Sequence, residues 1–318
     1  MMLLTFAILI LKFLQAQSQF SDVTEAIISD MYRTSYFTSG HEAVFEVDVS
    51  TNKTRNIYEQ FYGLHDREHN YPMSRSSQFR VGSNSKSFTS IAIMQLHESG
   101  KLNIDADIKG YLTADDLKTL GYNRSGDYCP ILYDASTNTL GTTCQKITFR
   151  NLLSMQSGII NSITCTYQPN QWQRKYCQPA YVGSWWYGST ADIIKFFINS
   201  PLEFVPGTTY SYTNENQLFL SYFIEKISGK KLEIYLKEKI FDPLGMKNTF
   251  LDSLDGELSA RTNLVSGYWD YTDLTRTTSY FAYGRIQSTE GIQGVLSGDY
   301  THVDLAKILC FVYFSLFV

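Results

Sequence analysis

Ser83 and Lys86 are the residues of this chain whose types and spacing best suit chemistry. They lie in Gln78-Phe79-Arg80-Val81-Gly82-Ser83-Asn84-Ser85-Lys86-Ser87-Phe88-Thr89, which runs on into Ser90-Ile91-Ala92-Ile93-Met94-Gln95-Leu96. Residues three apart share one face of a helix. A serine at a helix N-terminus has unpaired N–H groups and the positive dipole end beside it, and both favour an oxyanion. The same field, with burial, disfavours an ammonium, so a neutral lysine there can take the serine proton. The pair therefore points to nucleophilic acyl chemistry. The bare pattern is weak, because Ser50…Lys53 and Ser228…Lys231 repeat it where a hairpin turn and a helix end are expected.

The elements that must position this pair can be read from periodicity. Phe88, Ile91, Ala92, Ile93, Met94 and Leu96 make the Ser83 helix apolar on most sides, which predicts a central, buried helix capped near Gly100. Upstream, a helix is predicted over Phe20–Arg33, a strand over Glu42–Val49, a turn at Ser50–Lys53 and a return strand over Arg55–Tyr62. A polar loop from His65 to Ser77 then reaches the Ser83 helix. Downstream come an extended crossing over Leu102–Ile108, a polar insertion over Ser125–Thr143, a helix or turn over Thr148–Gly158 and an aromatic loop over Asn161–Ser184. A short helix is next, over Thr190–Asn199, with Ile193, Ile194 and Phe197 inward. Pro206-Gly207 turns into Tyr210-Ser211-Tyr212-Thr213-Asn214. Two helices come after it, Gln217–Ile227, ended by Gly229, and Lys231–Ile240, stopped by Pro243 and Gly245. Ser253–Gly291 lacks strong periodicity. Thr301 and Asp304 form a capping box for a last helix.

Composition bounds the function class. A length of 318 residues, 43% hydrophobic and 15% aromatic, suits two domains or one large one. A net charge of −4 argues against a general nucleic-acid or anionic-membrane surface. Residues 1–18 read as a secretory signal peptide: Met1–Leu14 is apolar apart from Thr5 and Lys12, and Ala16-Gln17-Ser18 is a small-x-small cleavage site. The other reading is an uncleaved anchor. Secretion suits the cysteines: Cys129 and Cys144 bracket one loop, Cys165 and Cys177 another, and two local disulfides are the simplest reading. Free buried thiols are the alternative, and no His stands at zinc-ligand spacing to either pair. Cys310 is left over. Asn52-Lys53-Thr54 and Asn123-Arg124-Ser125 are glycosylation acceptors in expected loops. The five His residues show neither metal nor triad spacing, so no metal or cofactor is expected, and His97 reads as solvated or capping. The tail 308–318 is apolar and too short to span a bilayer.

Taken together, these stretches resemble the serine β-lactamase and DD-peptidase superfamily, nearest to the class C β-lactamase-related proteins. Phe79 to Lys86 is similar to the first family motif, which implies Ser83 as nucleophile and Lys86 as its partner. Thr148 to Ile159 is similar to the Leu-Leu-Ser-His-Thr-Ser-Gly segment, with Met155 in place of the usual His and read as packing. Phe204-Val205-Pro206-Gly207-Thr208 through Tyr212-Thr213-Asn214 is similar to the Tyr-x-Asn motif. Ile224–Gly229 and Ile240–Met246 are similar to the family segments downstream of that motif. The resemblance implies that Lys86 and Tyr212 share the serine proton, and that Asn214 binds the substrate amide or helps to hold Lys86. Taken alone, Tyr212 reads as one more core or surface aromatic and Asn214 as a turn residue. Trp185-Trp186-Tyr187 reads as core or as cleft lining.

The resemblance also implies a third element, a strand with Lys-Thr-Gly or His-Thr-Gly. Neither tripeptide occurs in the 318 residues. The expected fold is α/β (α+β): an antiparallel sheet flanked by helices, a largely helical region, and a β-lactamase-related domain over 19–307 whose C-terminal strands are missing. The expected function is a secreted serine hydrolase acting through an acyl-enzyme on a small-molecule or peptide amide, ester or β-lactam-like carbonyl. The alternatives are a non-catalytic relative that binds peptide or glycan, and an inactive fragment.

Overall fold

The computed structural model of the protein describes residues 26, 39–48, 50–51, 53–66, 69–80, 82–134, 136–161, 189–247, 249–251, 265, 267–268, 285–286 and 295–296. The helix predicted over Phe20–Arg33 is described only at Ala26, which is helical. The helix predicted after Thr301, the signal peptide and the apolar tail lie outside the described residues.

The first layer is an antiparallel sheet, as the alternating pattern predicts. Strand β1 (Ser39–Asp48) pairs with β2 (Lys53–Asp66), with a register shift between Val44 and Phe45. The turn between them is tied by Asp48, whose carboxylate accepts from the Ser50 N–H at 2.9 Å and from the Ser50 and Thr51 hydroxyls at 2.6 and 2.7 Å. The polar loop expected over His65–Ser77 is sheet in part: β2 runs on to Asp66 and pairs with β3 (Tyr71–Pro72), while 73–77 carries no strand. His65 and Asp66 are buried there, and His65 Nδ1 lies 2.9 Å from the Pro72 carbonyl. Polar residues joined in this way carry no outward hydrophobic alternation, so the sequence reads as loop.

Strand β4 (Phe79–Arg80) leads through a 3₁₀ turn at Gly82–Asn84 into α1 (Ser85–Glu98). Phe88, Thr89, Ile91, Ala92, Ile93 and Leu96 of α1 are buried. The helix closes in a Schellman motif: Gly100, at φ +71°, donates to His97 O at 2.9 Å, and Lys101 donates to Leu96 O at 2.9 Å. The ring of His97, part-buried, lies 3.2 Å from the Leu102 carbonyl in the segment that follows the helix. The stretch Leu102–Ile108 is turns rather than an extended crossing. Asn103 Oδ1 accepts from the Asp105 N–H at 3.0 Å, and such local bonds compete with strand pairing.

Three short helices have reciprocal capping boxes. They are α2 (Ala114–Thr119, Thr113 with Asp116), α3 (Phe149–Leu153, Thr148 with Asn151) and α4 (Thr190–Ile194, Ser189 with Asp192). Between α2 and α3, the insertion carries a small hairpin, β5 (Tyr133–Asp134) with β6 (Thr139–Leu140), inside a Cys129–Cys144 disulfide.

The centre of the packing is α5 (Asn214–Ser228), not the Ser83 helix. It packs against α1, α3, α4 and the next helix, α6 (Leu232–Leu236). Leu218, Phe219, Leu220, Phe223 and Ile224 are all but fully buried, and edge-to-face rings join Phe223 to Phe149 at 4.9 Å and Phe219 to Phe197 at 5.4 Å. Helix α5 begins three residues before the predicted start, because Thr213 is its N-cap. It ends on Gly229 at φ +70°, as predicted. Beyond α6 the backbone passes through a π segment, Lys237–Phe241, into α7 (Asp242–Leu244). Pro243 therefore does not stop the helical path. It occupies a first-turn position of α7, where its missing N–H costs nothing, and Gly245 at φ +71° makes the stop. Further along, β7 (Gly267–Tyr268) pairs with β8 (Arg285–Ile286), and β9 (Val295–Leu296) pairs with β4. No helix among the described residues is long and apolar enough to cross a membrane.

Candidate active site

Ser83 stands in the 3₁₀ turn that feeds α1, and Lys86 is the second residue of that helix. One turn of rise brings Lys86 Nζ to 3.0 Å from Ser83 Oγ, donating. No side chain caps the start of α1 at Asn84, so the dipole end of a four-turn helix faces the serine unscreened by a cap.

The third group comes from 129 residues away. Tyr212 donates its hydroxyl to Ser83 Oγ at 2.6 Å, and Lys86 Nζ sits 4.9 Å from the centre of the Tyr212 ring. Ser83 is exposed, Lys86 half-buried and Tyr212 43% exposed, so the trio opens to solvent among the described residues. Burial pushes the Tyr212 phenol up, but hydrogen bonding to Lys86 and Ser83 and the Lys86 charge outweigh it, and the phenol lies below the ordinary tyrosine value. One hydroxyl therefore touches both a cation and a more acidic phenol. A nucleophile beside a phenol whose deprotonated form is stabilised by a neighbouring cation can pass its proton to that phenolate as it attacks a carbonyl.

Tyr212 is carried on a strap, residues 203–212, laced to the segment 155–161. Glu203 N–H donates to Gly158 O at 2.7 Å, Gly207 N–H to Gln156 O at 2.8 Å and Ser211 N–H to Met155 O at 2.9 Å. Asn161 Nδ2 donates to the Tyr212 carbonyl at 2.7 Å. The close approach requires glycine at 158, where φ is +76° and an added Cβ would lie 2.3 Å from Phe204 O. Met155 is buried, as its packing reading expects, but it does more: it adopts φ +57° and its sulfur accepts from Asn216 Nδ2 at 3.3 Å. Asn216 is fully buried, and its Oδ1 accepts from Ser157 Oγ at 2.5 Å. Ser157 Oγ accepts in turn from the Ile159 N–H at 3.1 Å.

Asn214 is the first residue of α5 and half-buried, two places after Tyr212. No hydrogen bond joins it to Ser83 or Lys86 among the described residues. Asn216, Ser157 and Asn161 were not singled out by sequence reasoning. Their bonds span 59, 61 and 51 positions and leave no local pattern.

The other expected positions divide by region. Cys129 and Cys144 are joined, with Cα atoms 4.7 Å apart. Cys165, Cys177, Cys310, Asn52 and Trp185-Trp186-Tyr187 lie outside the described residues. Asn123 is exposed, and its backbone N–H donates to Asn199 Oδ1 at 3.0 Å. Among the described residues no group of three or more His, Cys, Asp or Glu side chains could hold a metal.

A family model described as Beta-lactamase matches residues 49–289. Among curated relatives, protein flp of Staphylococcus aureus (strain MRSA252) is 22% identical over 231 residues, covering 69% of this chain and 39% of its own length. The chain thus spans about two fifths of that relative. Two solved structures share the fold. EstCE1, described as a hydrolase with promiscuous acyltransferase activity, aligns at a TM-score of 0.59 and 20% identity, over 80% of this chain and 58% of its own. The octameric penicillin-binding protein homologue from Pyrococcus abyssi aligns at 0.60 and 22%, over 92% and 55%.

Proposed function

This chain belongs to the beta-lactamase family, and from that premise we propose that it is a serine hydrolase with Ser83 as its nucleophile. The observation that carries the reading is the contact of one serine oxygen with both Lys86 Nζ and the Tyr212 hydroxyl. As Ser83 Oγ bonds to the substrate carbonyl carbon, its proton passes to the Tyr212–Lys86 pair. The carbonyl oxygen becomes an oxyanion within the field of the α1 N-terminus. Collapse breaks the bond to the leaving group, which takes the proton back, and water then hydrolyses the acyl-enzyme. Asn214, at the first turn of α5, bonds the substrate amide or carbonyl. The substrate is an amide, ester or β-lactam-like carbonyl. The likeness to a hydrolase with acyltransferase activity and to a penicillin-binding protein homologue supports that class.

The protein is read as secreted. The apolar leader, the Cys129–Cys144 disulfide and the exposed Asn123 of an Asn-Arg-Ser acceptor support this. In this reading Asn123 carries a glycan, checked by a mobility shift of the secreted protein on enzymatic deglycosylation that Asn123→Gln reduces.

The test of catalysis is covalent capture. A fluorophosphonate or a fluorescent penicillin should label the protein at Ser83, located by peptide mass, and Ser83→Ala should lose the label. A second reading is a non-catalytic binder of peptide or glycan at the same exposed trio. Binding of such ligands without any label at Ser83 would establish it instead.

A further inference from the structure

We propose that Asn216, through Met155 and Ser157, is the positioning residue that sets the Tyr212 phenol on Ser83. The inference rests on the hydrolase reading only for its kinetic test. The bonds form a closed ring. Tyr212 is followed at once by the first turn of α5, and that turn carries Asn216 into the interior. There the two ends of one amide grip two residues of a tight bend: Nδ2 donates to Met155 Sδ and Oδ1 accepts from Ser157 Oγ. Met155 holds a left-handed backbone, which a side-chain-bearing residue keeps only when its surroundings impose it. That conformation aims the Met155 carbonyl at the Ser211 N–H, and Ser211 adjoins Tyr212. The ring therefore approaches Tyr212 from both sides in sequence, by the strap before it and the helix after it. Asn161 closes the third side on the Tyr212 carbonyl.

The chemistry of the three side chains suits the role. Asn216 and Ser157 are essentially inaccessible to solvent, so neither can exchange its partner for water. Losing the amide leaves a buried hydroxyl without its acceptor and frees the Met155 bend. A tyrosine whose backbone has moved by a few tenths of an ångström keeps its fold but loses its short bond to Ser83. The charged group acting on the phenol is Lys86, on α1, which does not move with the strap. Displacement of Tyr212 relative to Lys86 thus raises the phenol toward the ordinary tyrosine value.

Two variants test this, because Asn216→Leu risks misfolding through the orphaned Ser157. Met155→Leu keeps the volume and removes only the sulfur acceptor. The first readout needs no substrate: protein with tyrosine labelled by ¹³C at Cζ is titrated by NMR, with Tyr212 assigned by the signal missing from Tyr212→Phe. The wild type should titrate below the ordinary tyrosine range, and both variants should move upward. The second readout is the rate of fluorophosphonate labelling against pH. In Met155→Leu it should fall about tenfold at neutral pH with its alkaline limb displaced upward, while the protein stays folded with a melting temperature lowered less than in Asn216→Leu. A Tyr212 titration unchanged in both folded variants overturns the proposal. A labelling loss equal at every pH, or one that tracks loss of fold, overturns it as well. A wild type that takes no label but shows the Tyr212 shifts overturns the hydrolase reading and leaves the positioning role standing.

Discussion

At the residue scale, the trio differs in what each member does to the serine proton. Ser83→Ala removes the attacking oxygen, so acyl labelling should vanish while the fold is kept, since Ser83 is exposed and caps nothing. Tyr212→Phe keeps the ring under Lys86 and deletes only the hydroxyl at 2.6 Å. A positioned acid–base group contributes on the order of 10²–10⁴-fold, and the rate of labelling should drop within that range. The pH dependence comes from the lowered phenol. Labelling should rise as Tyr212 deprotonates, with the midpoint of that rise below the ordinary value for tyrosine. Lys86→Met removes the cation that holds the phenol down. The rise should then move to higher pH, as a pH series of labelling rates on the two proteins will read.

At the element scale, the bonds between 155–161 and 203–212 decide where Tyr212 stands. Gly158→Ala drives a methyl group against Phe204 O and places alanine at φ +76°. The left-handed backbone alone costs a side-chain-bearing residue roughly 1–3 kcal/mol, the clash adds to it, and denaturant unfolding should show a loss of at least that order. The α2–α5 joint gives a separate prediction. Asp116 is half-buried, which raises its pKa, but bonds from Lys226, Thr113 and Tyr222 more than offset this and hold it at about 2. A carboxyl depressed below its unfolded value adds stability that is complete above pH ~4. That stability is lost as pH falls toward about 2. Up to about 2 kcal/mol is at stake, so Asp116→Asn should flatten the acid limb of a stability-against-pH curve. The elements themselves were largely legible. The alternation over Glu42–Val49, the helix opened at Thr148 and the Gly229 stop all obey local rules, and β1, α3 and the end of α5 appear where those rules place them. The helix predicted from Thr190 does begin there, with Ser189 as its N-cap, though it ends at Ile194 rather than Asn199. Two features stayed hidden. One was the sheet beyond Tyr62, where buried His65 and Asp66 read as loop, and the other was the Asn216 brace, where the bonded residues are some sixty positions apart. Ser83 and Lys86 stood out by spacing, whereas Tyr212 became visible only through the family resemblance, because a tyrosine has no spacing rule to a serine 129 residues away.

At the scale of the whole molecule, the candidate site joins two regions that fold on different information. Ser83 and Lys86 come from a local turn and helix. Tyr212 depends on α5, and α5 gathers α1, α3, α4 and α6 about itself. Binding at the site therefore reports on the integrity of the helical core, and anything that loosens the packing around α5 acts on chemistry through Tyr212 before it acts through Ser83. The Cys129–Cys144 disulfide bears on that core from outside. It closes a loop of 15 positions around the β5–β6 hairpin. Next to it, Tyr128 is buried and its ring meets Phe219 of α5 at a centroid distance of 6.1 Å. Arg124 Nη1 also donates to the Cys129 carbonyl at 2.8 Å, and Tyr122 accepts from the Cys129 N–H at 2.9 Å. A loop of this size restricts the unfolded chain by about 3 kcal/mol. The double variant Cys129→Ala with Cys144→Ala should lose up to that amount in denaturant unfolding. Because Tyr128 ties the loop to α5, fluorophosphonate labelling of Ser83 should become more sensitive to temperature, while the initial rate well below the melting point stays close to wild type. A variant as stable as the wild type would show that the hairpin's own bonds already restrict the loop, and that the disulfide adds nothing to the core.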